Sequence, residues 1–130
     1  MRNFKRINFD DVKPFIVKAK KEQVSFENPP GAEWYGIFKD EKLVSFFCLV
    51  VKGKTARFKS NYTVPEYRKQ GCLQTFIEFS ISECIKRGVC EMSAFCTPLS
   101  IKSHIQNGAK IISEKKDVWF IKYIFKRKNK

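Results

Sequence analysis

Residues 43–51, Leu43-Val44-Ser45-Phe46-Phe47-Cys48-Leu49-Val50-Val51, are almost wholly apolar. The run is far too short to cross a bilayer, which takes about 20 apolar residues. Lys39-Asp40-Glu41-Lys42 before it and Lys52-Gly53-Lys54 after it read as turns. An apolar run of this length between turns is a strand, and one without alternation is buried on both faces. The chain must therefore build a sheet around residues 43–51 and cover it on both sides.

The flanking segments agree. Glu33 to Phe38 reads as the preceding strand and Thr55 to Val64 as the following one. The latter alternates, with Ala56, Phe58, Ser60, Tyr62 and Val64 on one face and Arg57, Lys59, Asn61 and Thr63 on the other. Pro65 ends it. After Gly71, residues Leu73, Phe76, Ile77, Ile81, Cys84 and Ile85 recur at helical spacing, and Gly88 is a ready C-terminal cap. Phe4 to Ile7 reads as a first strand. Asp10 or Asp11 caps a helix running to about Lys21, with Val12, Phe15, Ile16 and Ala19 on one face and Pro14 in its first turn. Residues 22–32, with Asn28-Pro29-Pro30-Gly31, read as a loop. Val89 to Cys96 is a further strand. Thr97-Pro98 starts a short helix ending at Asn107-Gly108, and Lys110–Lys116 with Val118–Phe125 forms a terminal hairpin. The order β-α-β-β-β-α-β-α-β-β predicts a mixed α/β (α+β) fold with helices on both faces of the sheet.

At 130 residues, 43% hydrophobic and with 13 Phe, the chain suits one aromatic-rich domain, expected over residues 1–125. Lys126-Arg127-Lys128-Asn129-Lys130 reads as a basic tail. The N-terminal Met1-Arg2-Asn3-Phe4-Lys5-Arg6 lacks the apolar stretch of a signal peptide, and no run is long enough to span a membrane, so a cytoplasmic protein is expected. The five Cys have neither CxxC spacing nor paired His, so they predict reduced thiols, with no zinc site or disulfide framework. The net charge of +13 makes a field that attracts polyanions and steers acidic ligands.

The junction Val64-Pro65-Glu66-Tyr67-Arg68-Lys69-Gln70-Gly71 joins a strand to the clearest helix in the chain. A basic, Gly-ended turn aims successive N–H groups at one point. The helix N-terminus behind it adds roughly half a positive charge, and together they predict a phosphate cradle.

Arg68-Lys69-Gln70-Gly71-Cys72-Leu73, preceded by Val64-Pro65-Glu66-Tyr67, resembles the acyl-CoA loop R/Q-x-x-G-x-G/A of the GNAT superfamily of acyl-CoA-dependent N-acetyltransferases. The last position of that motif, usually Gly or Ala, is Leu73 here. Thr97 to Gly108 resembles the later helix of the family, which usually carries a Tyr four residues before a Gly; His104 takes that position. Most of the chain follows the element order of the family. The resemblance implies a mainly antiparallel sheet of about six to seven strands and direct transfer of an acetyl or related acyl group from acyl-CoA to an amine on a small molecule or a protein. It implies no metal. The amides of Lys69, Gln70, Gly71, Cys72 and Leu73 would take the pyrophosphate, with Arg68 and Lys69 adding charge. The pantetheine arm would pair with the strand ending at Val64, where neighbouring strands splay apart.

Such a transfer needs a proton acceptor, because an amine with pKa near 10.4 attacks only when neutral, and a proton donor for the departing thiolate. His104 is the candidate donor and Tyr62 the second. Glu33 is the first candidate base, beside Glu66 and Glu91. Trp34 and Tyr35 are candidates to line the acceptor pocket or to stack on a base. Cys96 is a candidate acyl-carrying nucleophile. A Mom-type reading, in which GNAT-like phage proteins modify adenine in DNA, makes Arg57 and Lys59 phosphate contacts. A third reading is a binding module that keeps the fold without the chemistry. The family often dimerises through its terminal strands. Val118–Phe125 is apolar enough for a homodimer interface, and a packed central strand explains the same pattern.

Overall fold

A computed structural model describes residues 3–22 and 26–125. The expected basic tail, 126–130, lies outside the described residues. One seven-stranded sheet runs in the order β1-β2-β3-β4-β5-β7-β6, with β1 Asn3–Ile7, β2 Ala32–Lys39, β3 Lys42–Lys52, β4 Thr55–Thr63, β5 Glu91–Cys96, β6 Lys110–Lys115 and β7 Val118–Ile124. Every neighbouring pair is antiparallel except β4 and β5. The apolar run lies in β3, in the interior of the sheet, and its Phe46, Phe47, Cys48 and Leu49 are completely buried.

Each face of β3 feeds its own cluster. Phe47 and Leu49 join Tyr35, Phe58, Met92, Ile121 and Tyr123 under α3 (Cys72–Lys86) and α4 (Ile101–Gln106). Phe46, Cys48 and Val50 join Val12, Ala19, Trp34 and Tyr62 under α1 (Phe9–Val12) and α2 (Ile16–Lys20). β7 sits between β5 and β6, so a paired interior strand accounts for the apolar character of Val118–Ile124.

Several local expectations change. The first helix breaks in two: Lys13–Phe15 around Pro14 is a 3-10 turn, and the N-cap is Asn8, whose N–H donates to Asp11 Oδ2 at 2.9 Å. On α3, Ser80 is buried where the spacing pointed to Ile85, which is exposed. The last helix starts at Ile101, because Thr97–Ser100 is a turn whose Thr97 carbonyl accepts from the N–H groups of Ser100 and Ile101.

The change that matters most is in β4. Phe46 pairs with Tyr62 but Cys48 with Lys59, so β4 carries one extra residue there, and Ser60 adopts φ 59°. This is a β-bulge, which reverses the alternation beyond it. Ala56 and Phe58 face α3 as expected, but Tyr62 faces the α1–α2 side, against Phe15 and Phe46.

Candidate functional site

The parallel contact of β4 with β5 comprises Thr55↔Glu91, Ala56↔Met92 and Arg57↔Ser93. Beyond Arg57 the two strands part, and a cleft of about 580 Å³ opens between them. Phe58, Lys59, Ser60, Asn61, Tyr62 and Thr63 form one wall of it; Ser93, Ala94 and Phe95 form the other. The bulge lies in the first wall, and Asn61 Nδ2 holds it by donating to the Phe46 carbonyl at 3.1 Å.

The N-terminus of α3 closes one end. Lys69 and Gly71 both have positive φ, 62° and 85°, and Gly71 is the N-cap. Thr75 N–H bonds to the Gly71 carbonyl at 3.0 Å, which begins the helical ladder. The amides of Leu73 and Gln74 belong to the first turn, where N–H groups have no intrahelical partner. Lys69, Gly71, Cys72, Leu73 and Gln74 all line the cleft. Leu73 also packs against the core under α3, so its side chain has an apolar seat while its amide stays in the first turn. A reciprocal amide pair ties this turn to α4: Gln74 Nε2 donates to Asn107 Oδ1 at 2.9 Å, and Asn107 Nδ2 to Gln74 Oε1 at 2.8 Å.

Arg68 holds its guanidinium against the end of β4 and the segment after α2. Its Nε donates to the Thr63 carbonyl at 2.8 Å, its Nη2 meets Glu22 Oε1 at 2.5 Å, and the group lies 5.6 Å from the Tyr62 ring centroid. Arg68 lines the cleft and braces the loop between β4 and α3, its charge already paired with the Glu22 carboxylate. Gln70, exposed, bonds back within the loop, donating to the Glu66 carbonyl at 3.3 Å. Lys69 is the exposed cation of the loop. Val64 packs against both clusters at the end of β4.

His104 lies in the cleft wall, only 2% exposed. Its Nδ1 lies 2.5 Å from Tyr123 Oη, and Phe58 meets the ring edge-on at 5.1 Å. Burial lowers its pKa to about 4, so the ring is neutral, and burial also pushes the Tyr123 phenol above its ordinary range, so it keeps its proton. The alternative acceptor for that hydroxyl, the His104 carbonyl, is 3.5 Å away. The short contact therefore assigns Tyr123 O–H as donor to Nδ1 and puts the ring proton on Nε2. Tyr62 also lines the cleft, with its phenol pKa raised chiefly by burial.

The other expected site residues lie elsewhere. Glu33 does not line the cleft. Arg87 Nη1 and Nη2 each donate to one of its carboxylate oxygens at 2.8 Å, and Tyr35 Oη donates to it at 2.8 Å. The Arg87 hydrogen bonds hold this carboxyl below its usual range, the reverse of what a base awaiting a proton needs. Arg87 follows the end of α3, and 15 residues at 1.5 Å each put it roughly 20 Å from the cradle. Trp34 and Tyr35 are core residues: Trp34 packs against Phe9, Phe26 and Phe46 and donates to Asn28 Oδ1 at 3.0 Å, and Tyr35 stacks on Phe47. Their alternation in β2 sends one into each cluster, and neither reaches the cleft. Glu91 pairs with Lys122 at 3.1 Å, and Glu66 is an exposed loop residue. Cys96 is wholly buried, and burial pushes its thiol up to about 12, which removes it as a nucleophile.

Arg57 and Lys59 do line the cleft, on the α1–α2 side of β4. They are joined by two carboxylates that sequence reasoning missed, Glu22 and Glu27, from the segment between α2 and β2. Glu22 is held by Arg68. Glu27, whose side chain is 75% exposed, pairs loosely with Lys59 at 3.7 Å. Two acidic residues shortly before Asn28-Pro29-Pro30 were the available signal, but nothing local says that this segment folds over β4. Tyr123 was missed as well. Its signal was inward alternation with Ile121, since a buried Tyr hydroxyl requires a partner.

No family sequence model and no curated protein sequence matches the chain. Solved structures do match in fold. The PaiA N-acetyltransferase of Thermoplasma acidophilum, in complex with coenzyme A, superposes with TM-score 0.77 at 14% identity over 96% of this chain and 99% of that one. A GNAT-family acetyltransferase of Staphylococcus aureus gives TM-score 0.76 at 14% identity, with 97% and 100% of the two chains covered. The ribosomal-protein-S18-alanine N-acetyltransferase of Escherichia coli gives 0.77 at 13% identity, with 95% and 94% covered. The fold is that of the GNAT acetyltransferases.

Proposed function

We propose that the chain is an acyl-CoA-dependent acyltransferase that moves an acetyl or related acyl group directly to an amine. One observation carries this reading: the β4–β5 splay opens between a cradle of first-turn amides and a buried, neutral histidine. The fold neighbour holding coenzyme A supports it.

When bound, acyl-CoA supplies the acyl group as an activated thioester. The amides of Leu73 and Gln74, with the positive end of α3 and the Lys69 ammonium, suit a pyrophosphate. Gly71 is the N-cap with φ 85°, a left-handed conformation that favours glycine. Past Arg57 the β5-facing edge of β4 has no strand partner among the described pairings, which suits a peptide-like pantetheine arm. His104 presents Nε2–H on the cleft wall and can donate it as a hydrogen bond to a departing thiolate. The hydroxyl of Tyr123 fixes the ring in that tautomer. On the acceptor side, Arg68 already occupies Glu22, so Glu27 is the carboxylate free to release Lys59 and take a proton from an incoming amine.

Calorimetric titration with acetyl-CoA tests the reading. The wild type should bind, and Gly71→Glu, which places a carboxylate at the mouth of the cradle, should abolish binding. Absence of binding by the wild type overturns the proposal.

A further inference from the structure

Among the described residues, one face of the half-sheet beyond the cleft is uncovered. The cluster beneath α1 and α2 draws its buried members from β1 to β4 and those helices, and none of its described residues comes from β5, β6 or β7. Strand register sets what that bare face presents. Arg57 pairs with Ser93, Ser93 with Lys122, and Lys122 with Lys110, so these four form one row across β4, β5, β7 and β6. At about 4.8 Å between strands, Arg57 and Lys122 start roughly 10 Å apart. The adjoining row pairs Phe95 with Phe120 and Phe120 with Ser113. Phe95 is 72% exposed, and its ring centroid lies 4.9 Å from that of Phe120. Lys59 adds a cation from β4, and Glu91, bonded to Lys122, is the carboxylate of the next row.

We propose that this face binds single-stranded nucleic acid and leads it to the mouth of the cleft. Exposed rings on a sheet, flanked by a row of cations, are the chemistry that stacks bases and pairs phosphates. A purely apolar partner would leave Arg57 and Lys110 desolvated without counter-charge. A polyanion uses both rows, and the net charge of +13 favours its approach. Phe95 and Arg57 also line the cleft, so the face and the proposed acceptor side are continuous. Binding here requires no acyl-CoA and stands or falls independently of the acyltransferase reading.

The test is fluorescence anisotropy of fluorescein-labelled dT12, titrated with the full chain at several salt concentrations. Binding should weaken with salt. Phe95→Ala should weaken it by about 10-fold with the salt slope unchanged, because one stacking contact is lost. Arg57→Gln should lower the slope by about 0.7, one phosphate contact. Both residues are exposed, and circular dichroism checks that each variant stays folded. If a blunt duplex of equal length binds as tightly as dT12, or if Phe95→Ala binds like the wild type, the face is only a diffuse positive field and the proposal fails.

Discussion

His104 is the only histidine of the chain, so its burial has a stability signature that no other histidine can mimic. Unfolded, it titrates near 6.5; folded, burial lowers the value to about 4. As pH falls through 6.5, the unfolded chain takes up a proton that the folded chain refuses, so stability must drop. The loss continues until pH nears 4, where both states are protonated. Linkage between these values gives about 2 kcal/mol lost from pH 7.5 to pH 5. Glu33 acts in a different window: its pKa is lowered, so the stability it contributes is lost only as pH falls below its ordinary 4.5. Urea titrations followed by Trp fluorescence at pH 7.5, 6.5, 5.8 and 5.0 measure the loss. His104→Phe keeps a ring against Phe58 and should remove the pH-dependent component, whatever it does to stability at pH 7.5. Equal losses in both proteins, or a wild type flat across the range, would refute the buried neutral imidazole and with it the tautomer assigned here.

Three further outcomes follow from the same geometry. Tyr123→Phe removes the donor to Nδ1 and should lower kcat by about 10-fold without raising KM for acetyl-CoA; a rise in KM alone would mean the pair merely shapes the pocket. Glu33→Gln should leave kcat within about 2-fold, because Glu33 is engaged by Arg87 far from the cleft, while costing about 1–2 kcal/mol in urea unfolding. Gly36→Ala should destabilise by about 1–3 kcal/mol, since a Cβ there would meet Leu43 Cδ1 at 2.5 Å and Ile7 Cδ1 at 3.1 Å; an unchanged unfolding midpoint would show that those side chains move aside freely.

What could be read in advance was periodic and local. The 43–51 run announced an interior strand because burial on both faces leaves no alternation, and α3 announced itself through 3–4 residue spacing up to Gly88. The bulge at Ser60 broke the same logic. Nothing in Ser60-Asn61 disturbs the written alternation, yet a single inserted residue carried Tyr62 to the opposite face. Glu33, Trp34 and Tyr35 failed for a related reason. A strand's alternation says which residues share a face, whereas the position of a cleft depends on where two strands part, and that is set by the three register pairs of β4 with β5.

The histidine illustrates the boundary between the two. Its position four residues before Gly108 was legible through the family resemblance. Its state was not, because Tyr123 is 19 residues away on a strand that pairs with β5 and β6. Yet the pairing has a physical necessity. A buried phenol and a buried imidazole each need a partner, and the contact at 2.5 Å lets each meet the other's need without charge. A hydroxyl committed to Nδ1 leaves the second ring nitrogen as the group with something to offer the cleft. The burial that would suit His104 to the proposed donor role is also what makes it costly to protonate, which is why a denaturation experiment can speak to that proposal.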